Sequence, residues 1–155
     1  MVRKKNTAKG LLLGSTTKAA ITVAREWKKL GIEVSVVDWF EPFTKYSKYF
    51  DHYYLTRSPE INLNNFMEDF MPLLVKNKFD FVLPIHDLTL EIAIKFEKEI
   101  SKFSMLVGVN PPEIHELVHD KSKLLEISNS VGIESPKTII INEISELQSR
   151  LKEFS

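Results

Sequence analysis

The sequence predicts an α/β fold with a mainly parallel sheet, and three observations carry that prediction. Short apolar runs alternate with segments of helical period, the helical segments are punctuated by cap and stop residues, and 155 residues at 43% hydrophobic suffice for one ordinary core. Successive βα units around a parallel sheet produce this rhythm.

Lys9 to Gly14 reads as the first strand. From Thr16 to Leu30, Ala20, Val23, Ala24, Trp27 and Leu30 recur at the spacing of one helical face, and Gly31 stops the helix. Ile32 to Val37 is the second strand, with Asp38 at its carboxyl end. A polar and aromatic loop, 39–50, leads to a short third strand around Tyr53 to Leu55. Leu63, Phe66, Met67, Phe70, Leu73 and Leu74 mark a second amphipathic helix, and Phe79 to Ile85 has buried-strand composition. Asp87 can cap a third helix that turns Ile92, Phe96 and Ile100 inward, and Met105 to Val107 is the fifth strand. This is a Rossmann-like arrangement over residues 1–110.

The rhythm then changes. Asn110, Pro111 and Pro112 open a short helix, because a proline in the first turn gives up no hydrogen bond. Asp120 to Val131 forms another helix stopped by Gly132, Lys137 to Ile141 is β-branched and strand-like, and Leu147, Leu151 and Phe154 give a last helix. Residues 111–155 are therefore expected to be an appendage of helix, strand and helix.

Composition excludes several classes of function. Twenty-one basic and 21 acidic residues cancel, so no long-range field recruits nucleic acid or anionic lipid. Absence of cysteine removes disulfides, a catalytic thiol and thiolate metal sites, and it fits a reducing compartment. Arg3 to Lys5 followed by Gly10 to Leu13 imitates a signal peptide, but Lys18 interrupts the apolar run well short of a secretory or spanning segment. The expectation is a cytoplasmic protein with no membrane partner.

Three motifs bear on chemistry. Gly14-Ser15-Thr16-Thr17 opens a helix, whose unpaired N–H groups can seat a phosphate or carboxylate. The alternative is structural, with Gly14 making the turn and Ser15 or Thr16 capping the helix. A dinucleotide fold would want further glycines there, although Asp38 stands where its acidic residue would be. Pro84-Ile85-His86-Asp87 ends the fourth strand on the edge where open α/β sheets bind ligands; His86 and Asp87 either orient a substrate or merely cap and flank the next helix. His115-Glu116-Leu117-Val118-His119 fits H-E-x-x-H, the zinc peptidase spacing, but no third ligand follows at the usual interval. Glu126 and Glu134 are the nearby carboxylates that stay open.

From Pro112 onward the chain resembles the entry into the ATP-grasp domain of carbamoyl-phosphate synthase-like ligases. The resemblance rests on Pro112-Glu113-Ile114, Asp120-Lys121 with Leu124-Leu125, Gly132-Ile133, Pro136-Lys137-Thr138 and Glu146-Leu147. Leu12-Leu13-Gly14-Ser15, Ser47-Lys48-Tyr49-Phe50-Asp51 and Leu83-Pro84 are similar to the companion pre-ATP-grasp domain. What this implies is a ligase that uses ATP and Mg2+ to activate a small-molecule carboxylate as an acyl phosphate for attack by an amine. Lys121 then matches the position whose cation contacts ATP phosphate, and Gly14, Ser15, Thr16, His86 and Asp87 fall on loops that face the acceptor substrate. The metal ligands and remaining nucleotide-gripping residues of the family fall beyond Ser155, so the chain is expected to need a C-terminal ATP-grasp portion and to lack turnover alone. Outside the resemblance, a small zinc peptidase at His115-Glu116-x-x-His119 and a flavodoxin- or receiver-like module are the competing readings. The latter lacks an acidic cluster after the first strand.

Overall fold

The computed structural model describes residues 7–41 and 43–152. The chain divides into two compact units, Met1–Val109 and Asn110–Ser155. The first holds five strands: β1 Lys9–Leu13, β2 Glu33–Asp38, β3 His52–Leu55, β4 Phe81–Pro84 and β5 Met105–Leu106. They form one sheet of order β3-β2-β1-β4-β5, and every neighbouring pair is parallel. Helices α1 (Lys18–Lys29), α2 (Leu63–Asn77), α3 (Asp87–Lys95) and α4 (Glu97–Ile100) connect them.

A parallel sheet covered on both faces needs strands that are apolar on both sides, and β1 meets this requirement. Leu11 and Leu13 face one cluster with Val37, Phe66, Phe70, Leu74, Val82 and Ile100. Leu12 faces the other, with Ala20, Ala24, Val34 and Val36. Phe66 and Phe70 are fully buried and stack with ring centroids 5.4 Å apart, each contributing about 1.5–3 kcal/mol of burial. Gly10 has a packing reason: a Cβ there would sit 2.5 Å from the Trp27 ring and 2.6 Å from that of Phe81. Those rings close edge to face over the strand, centroids 4.8 Å apart. Asp51 ties the end of α1 to the start of β2, accepting from Lys28 Nζ at 2.7 Å and from the Val34 N–H at 2.7 Å.

Three sequence expectations change. The helix predicted through Ile100 breaks at Phe96, whose φ of −112° and ψ of 24° separate α3 from α4. Asp87 is the first residue of α3 rather than its cap; His86 holds the cap position in extended conformation. Residues 137–141 form no strand, because a strand exists only by pairing and no other strand lies among the described residues of this unit. The second unit holds α5 Pro112–His119, α6 Lys121–Ser130 and α7 Leu147–Leu151, the last preceded by a 3-10 turn at Ile144–Glu146. Phe154, expected in the final helix, lies outside the described residues.

Ser35, in the middle of β2, has a buried hydroxyl with no hydrogen-bond partner. Ser35→Ala is therefore expected to raise unfolding stability by up to about 1 kcal/mol, since it removes a desolvated polar group at little cost in volume. Urea denaturation measures this, and a loss of stability would show that the hydroxyl is satisfied in solution.

Candidate functional site

The strand order reverses between β1 and β4, so their connections leave the carboxyl edge in opposite directions and open a crevice there. Two predicted site residues meet in it. Gly14 turns away from β1 at φ +93°, and a Cβ added there would lie 2.7 Å from His86 Nε2. The imidazole therefore rests directly over the bare glycine Cα. Its other neighbour is Trp39, with ring centroids 5.7 Å apart, edge to face. Trp39 is in turn held by its indole N–H, which donates to Glu60 Oε2 at 3.2 Å.

Beneath this aromatic roof lies Asp38, only 1% exposed. Its Oδ2 accepts from the Ser15 N–H at 2.8 Å and the Ser15 hydroxyl at 2.6 Å, and its Oδ1 accepts from the Trp39 N–H at 2.9 Å. Thr44 from the following loop donates to Ser15 Oγ at 3.2 Å. Neutral donors thus satisfy a buried carboxylate that no basic side chain among the described residues pairs. Tyr53 feels the same field: burial, then the charges of Asp38 and Glu41, push its phenol well above the usual range, so it stays protonated. Its hydroxyl donates to the Phe40 carbonyl and pins the loop.

The predicted residues divide accordingly. Ser15 is turned inward to Asp38, whereas Thr16 is exposed at the mouth of the turn. The helix cap is Thr17, not Ser15 or Thr16; its hydroxyl accepts from the Ala20 N–H. His86 is half-buried, its N–H donating to Thr89 Oγ1 at 3.1 Å, while Asp87 is exposed in the first turn of α3, where a negative charge complements the helix dipole. Sequence reading passed over Trp39, Thr44 and Thr89. Asp38 was visible as an acidic residue closing β2, but its tie to Ser15 was not.

In the second unit Lys121 is the exposed first residue of α6, behind the cap Asp120, which accepts from the N–H groups of Ser122 and Lys123. A cation at the positive end of a helix is locally unfavourable by some tenths of a kcal/mol, so propensity does not explain it. His115 and His119 lie on one face of α5 with ring centroids 5.3 Å apart. Glu116, the would-be general base, is paired with Lys123. That ion pair holds its carboxyl below the ordinary range. Among the described residues no three His, Cys, Asp or Glu side chains gather as a metal site. We expect less than about a tenth of an equivalent of zinc in purified protein, because two imidazoles on an exposed helix hold the ion weakly. Metal analysis of wild type and His115→Ala checks this; one equivalent lost with the variant would reverse it.

No protein-family model and no curated protein matches the sequence. Solved structures do match. The biotin carboxylase domain of Hydrogenobacter thermophilus 2-oxoglutarate carboxylase, in complex with MgADP, ADP and bicarbonate, aligns with TM-score 0.63 at 19% identity over 96% of this chain and 33% of its own. N5-carboxyaminoimidazole ribonucleotide synthetase from Thermotoga maritima aligns with TM-score 0.55 at 20% identity, over 96% of this chain and 37% of its own. An enzyme described as glycinamide-RNase-transformylase T from Mycobacterium tuberculosis gives 0.53 at 15% identity, over 80% and 35%. These neighbours are ATP-grasp enzymes matched on their N-terminal domain, and at 15–20% identity the likeness is one of fold. The chain spans about a third of the length of these ATP-grasp neighbours. Among the described residues no helix is long and apolar enough to cross a membrane.

Proposed function

We propose that the chain is the substrate-side portion of an ATP-dependent carboxylate-amine ligase, residues 1–110 forming its pre-ATP-grasp domain and 111–155 the start of its ATP-grasp domain. The observation that carries the reading is the shared ATP-grasp fold, joined to the Asp120-Lys121 helix opening. On this reading the complete enzyme works in the cytoplasm, and the crevice of Gly14, Ser15, Thr16, His86 and Asp87 faces a small-molecule carboxylate or amine. His86 presents a ring nitrogen to it, Thr16 a hydroxyl and Asp87 a charge, while Gly14 and Ser15 shape the floor.

The described residues fit one part of the nucleotide machinery. Lys121, an exposed compact cation at the start of α6, suits an ATP phosphate oxygen. Among the described residues no carboxylate cluster gathers, and on this reading the Mg2+ ligands come from a C-terminal ATP-grasp portion. ATP and Mg2+ supply the acyl phosphate chemistry there; this chain holds substrate and one phosphate contact. In an enzyme joining this chain to such a portion, Lys121→Ala is expected to raise KM for ATP and lower kcat/KM by about tenfold, the effect of about 1.4 kcal/mol of lost charge stabilisation. Steady-state kinetics with varied ATP test it. Unchanged nucleotide kinetics would remove Lys121 from the site, and steady ATP turnover by the 155 residues alone would overturn the division of labour.

A further inference from the structure

On the opposite edge of the sheet, where the chain enters β4 and β5, an open hollow of about 710 Å³ lies between the 78–80 and 101–104 turns and α4. Ligand pockets commonly fall in the range of about 300–1,000 Å³. Its wall carries Lys78, Glu97, Lys102, Phe103, Ser104 and Met105, together with Asp80, whose Oδ2 is taken up by the Lys9 N–H at 2.7 Å. Lys78, Lys102 and Glu97 form no ion pair among the described residues, although both signs of charge border one hollow. Lys78 is also the only non-glycine residue at positive φ among the described residues, 54°, closing α2 in a left-handed cap that glycine or asparagine would hold at lower cost. Ser104 is 5% exposed and its hydroxyl has no partner, one of two such buried groups among the described residues. Phe103 and Met105 add apolar surface, 43% and 63% exposed.

A wall with cations and a carboxylate that no ion pair neutralises among the described residues, beside apolar surface, matches a molecule built the same way. We propose that this amino-edge hollow binds a free α-amino acid with an apolar side chain. Lys78 and Lys102 meet its carboxylate, Glu97 meets its ammonium, and Phe103 and Met105 cover the side chain. The site is independent of the ligase reading, since it shares no residue with the Gly14-His86 crevice.

The test is a titration of the 15N-labelled 155-residue chain with L-phenylalanine, compared with phenylacetate, which lacks the ammonium, and phenethylamine, which lacks the carboxylate. Saturable shifts are expected at the amides of Lys78, Lys102, Ser104 and Met105 in the millimolar range, a few kcal/mol weaker than a micromolar ligand. Each analogue should bind about fivefold more weakly, the upper end for one exposed ion pair. Glu97→Gln should erase the penalty for phenylacetate and leave that for phenethylamine, and Lys102→Met should weaken phenylalanine and phenylacetate alike. Both substitutions are on the surface, and unchanged chemical shifts elsewhere will show that they leave the fold intact. Absence of saturable shifts, equal binding of the three compounds, or shifts confined to Gly14 and His86 would each overturn the assignment.

Discussion

Asp38→Ala is expected to cost about 3–5 kcal/mol of stability, a large share of what a domain of this size possesses. The substitution leaves the Ser15 N–H, the Ser15 hydroxyl and the Trp39 N–H without their acceptor, at a position 1% exposed. Each stranded donor costs about 1–3 kcal/mol unless water enters. Asp38→Asn should cost roughly half as much, because one amide oxygen can still accept from Ser15 while the amide nitrogen meets the Trp39 N–H donor to donor. Tryptophan fluorescence followed through urea denaturation, in a Trp27→Phe background that leaves Trp39 as the reporter, reads both the global loss and any loosening of the loop. Equal stability of Asp38→Ala and wild type would mean that this carboxylate is hydrated and the crevice floor open.

Gly14→Ala is expected to destabilise by about 2–4 kcal/mol through two separable causes. One is the backbone, since φ +93° disfavours any side chain; the other is collision of the new methyl with His86 Nε2 at 2.7 Å. The imidazole cannot move aside freely, because Trp39 stands against it and the His86 backbone beneath it is fixed by its N–H bond to Thr89 Oγ1. A double-mutant cycle separates the causes: Gly14→Ala combined with His86→Ala should recover about 1–2 kcal/mol, leaving the backbone share. Full additivity would show that the ring does not sit over Gly14 in solution. Recovery of that size would place the imidazole over Gly14 in solution.

These two residues also show how far the sequence could be read. The parallel sheet was legible because β1 and β4 are apolar on both faces, and no other architecture buries such runs between amphipathic helices. Gly14 and His86 were each visible as loop residues after a strand. Their contact was not, since it depends on which strand lies beside β1, and β4 arrives there only through the crossover topology. Asp38 was legible as a charge at a strand end, yet its partner, 23 residues away at Ser15, depends on the depth of the β1 turn. The helix break at Phe96 escaped because the apolar spacing Ile92, Phe96, Ile100 continues through it, and periodicity does not record one non-helical φ/ψ pair. The strand expected at 137–141 rested on β-branched composition. Composition reports willingness to pair but not the presence of a neighbour.

The position of β1 at the centre of the sheet bears on how the chain is made. Of the five strands it leaves the ribosome before the other four, and one of its two neighbours is β4: Lys9 and Asp80, which clamp the start of that pairing, are 71 residues apart. At about 5–20 residues per second, β1 waits several seconds with its most apolar segment unpaired on one side. Local helices form in that interval, but the ladder that fixes them cannot close, and long-range pairing of this kind slows folding. Nascent chains of this protein should therefore be clients of ribosome-associated chaperones, with Leu11, Leu12 and Leu13 as the segment held until Val82 and Leu83 emerge to meet it.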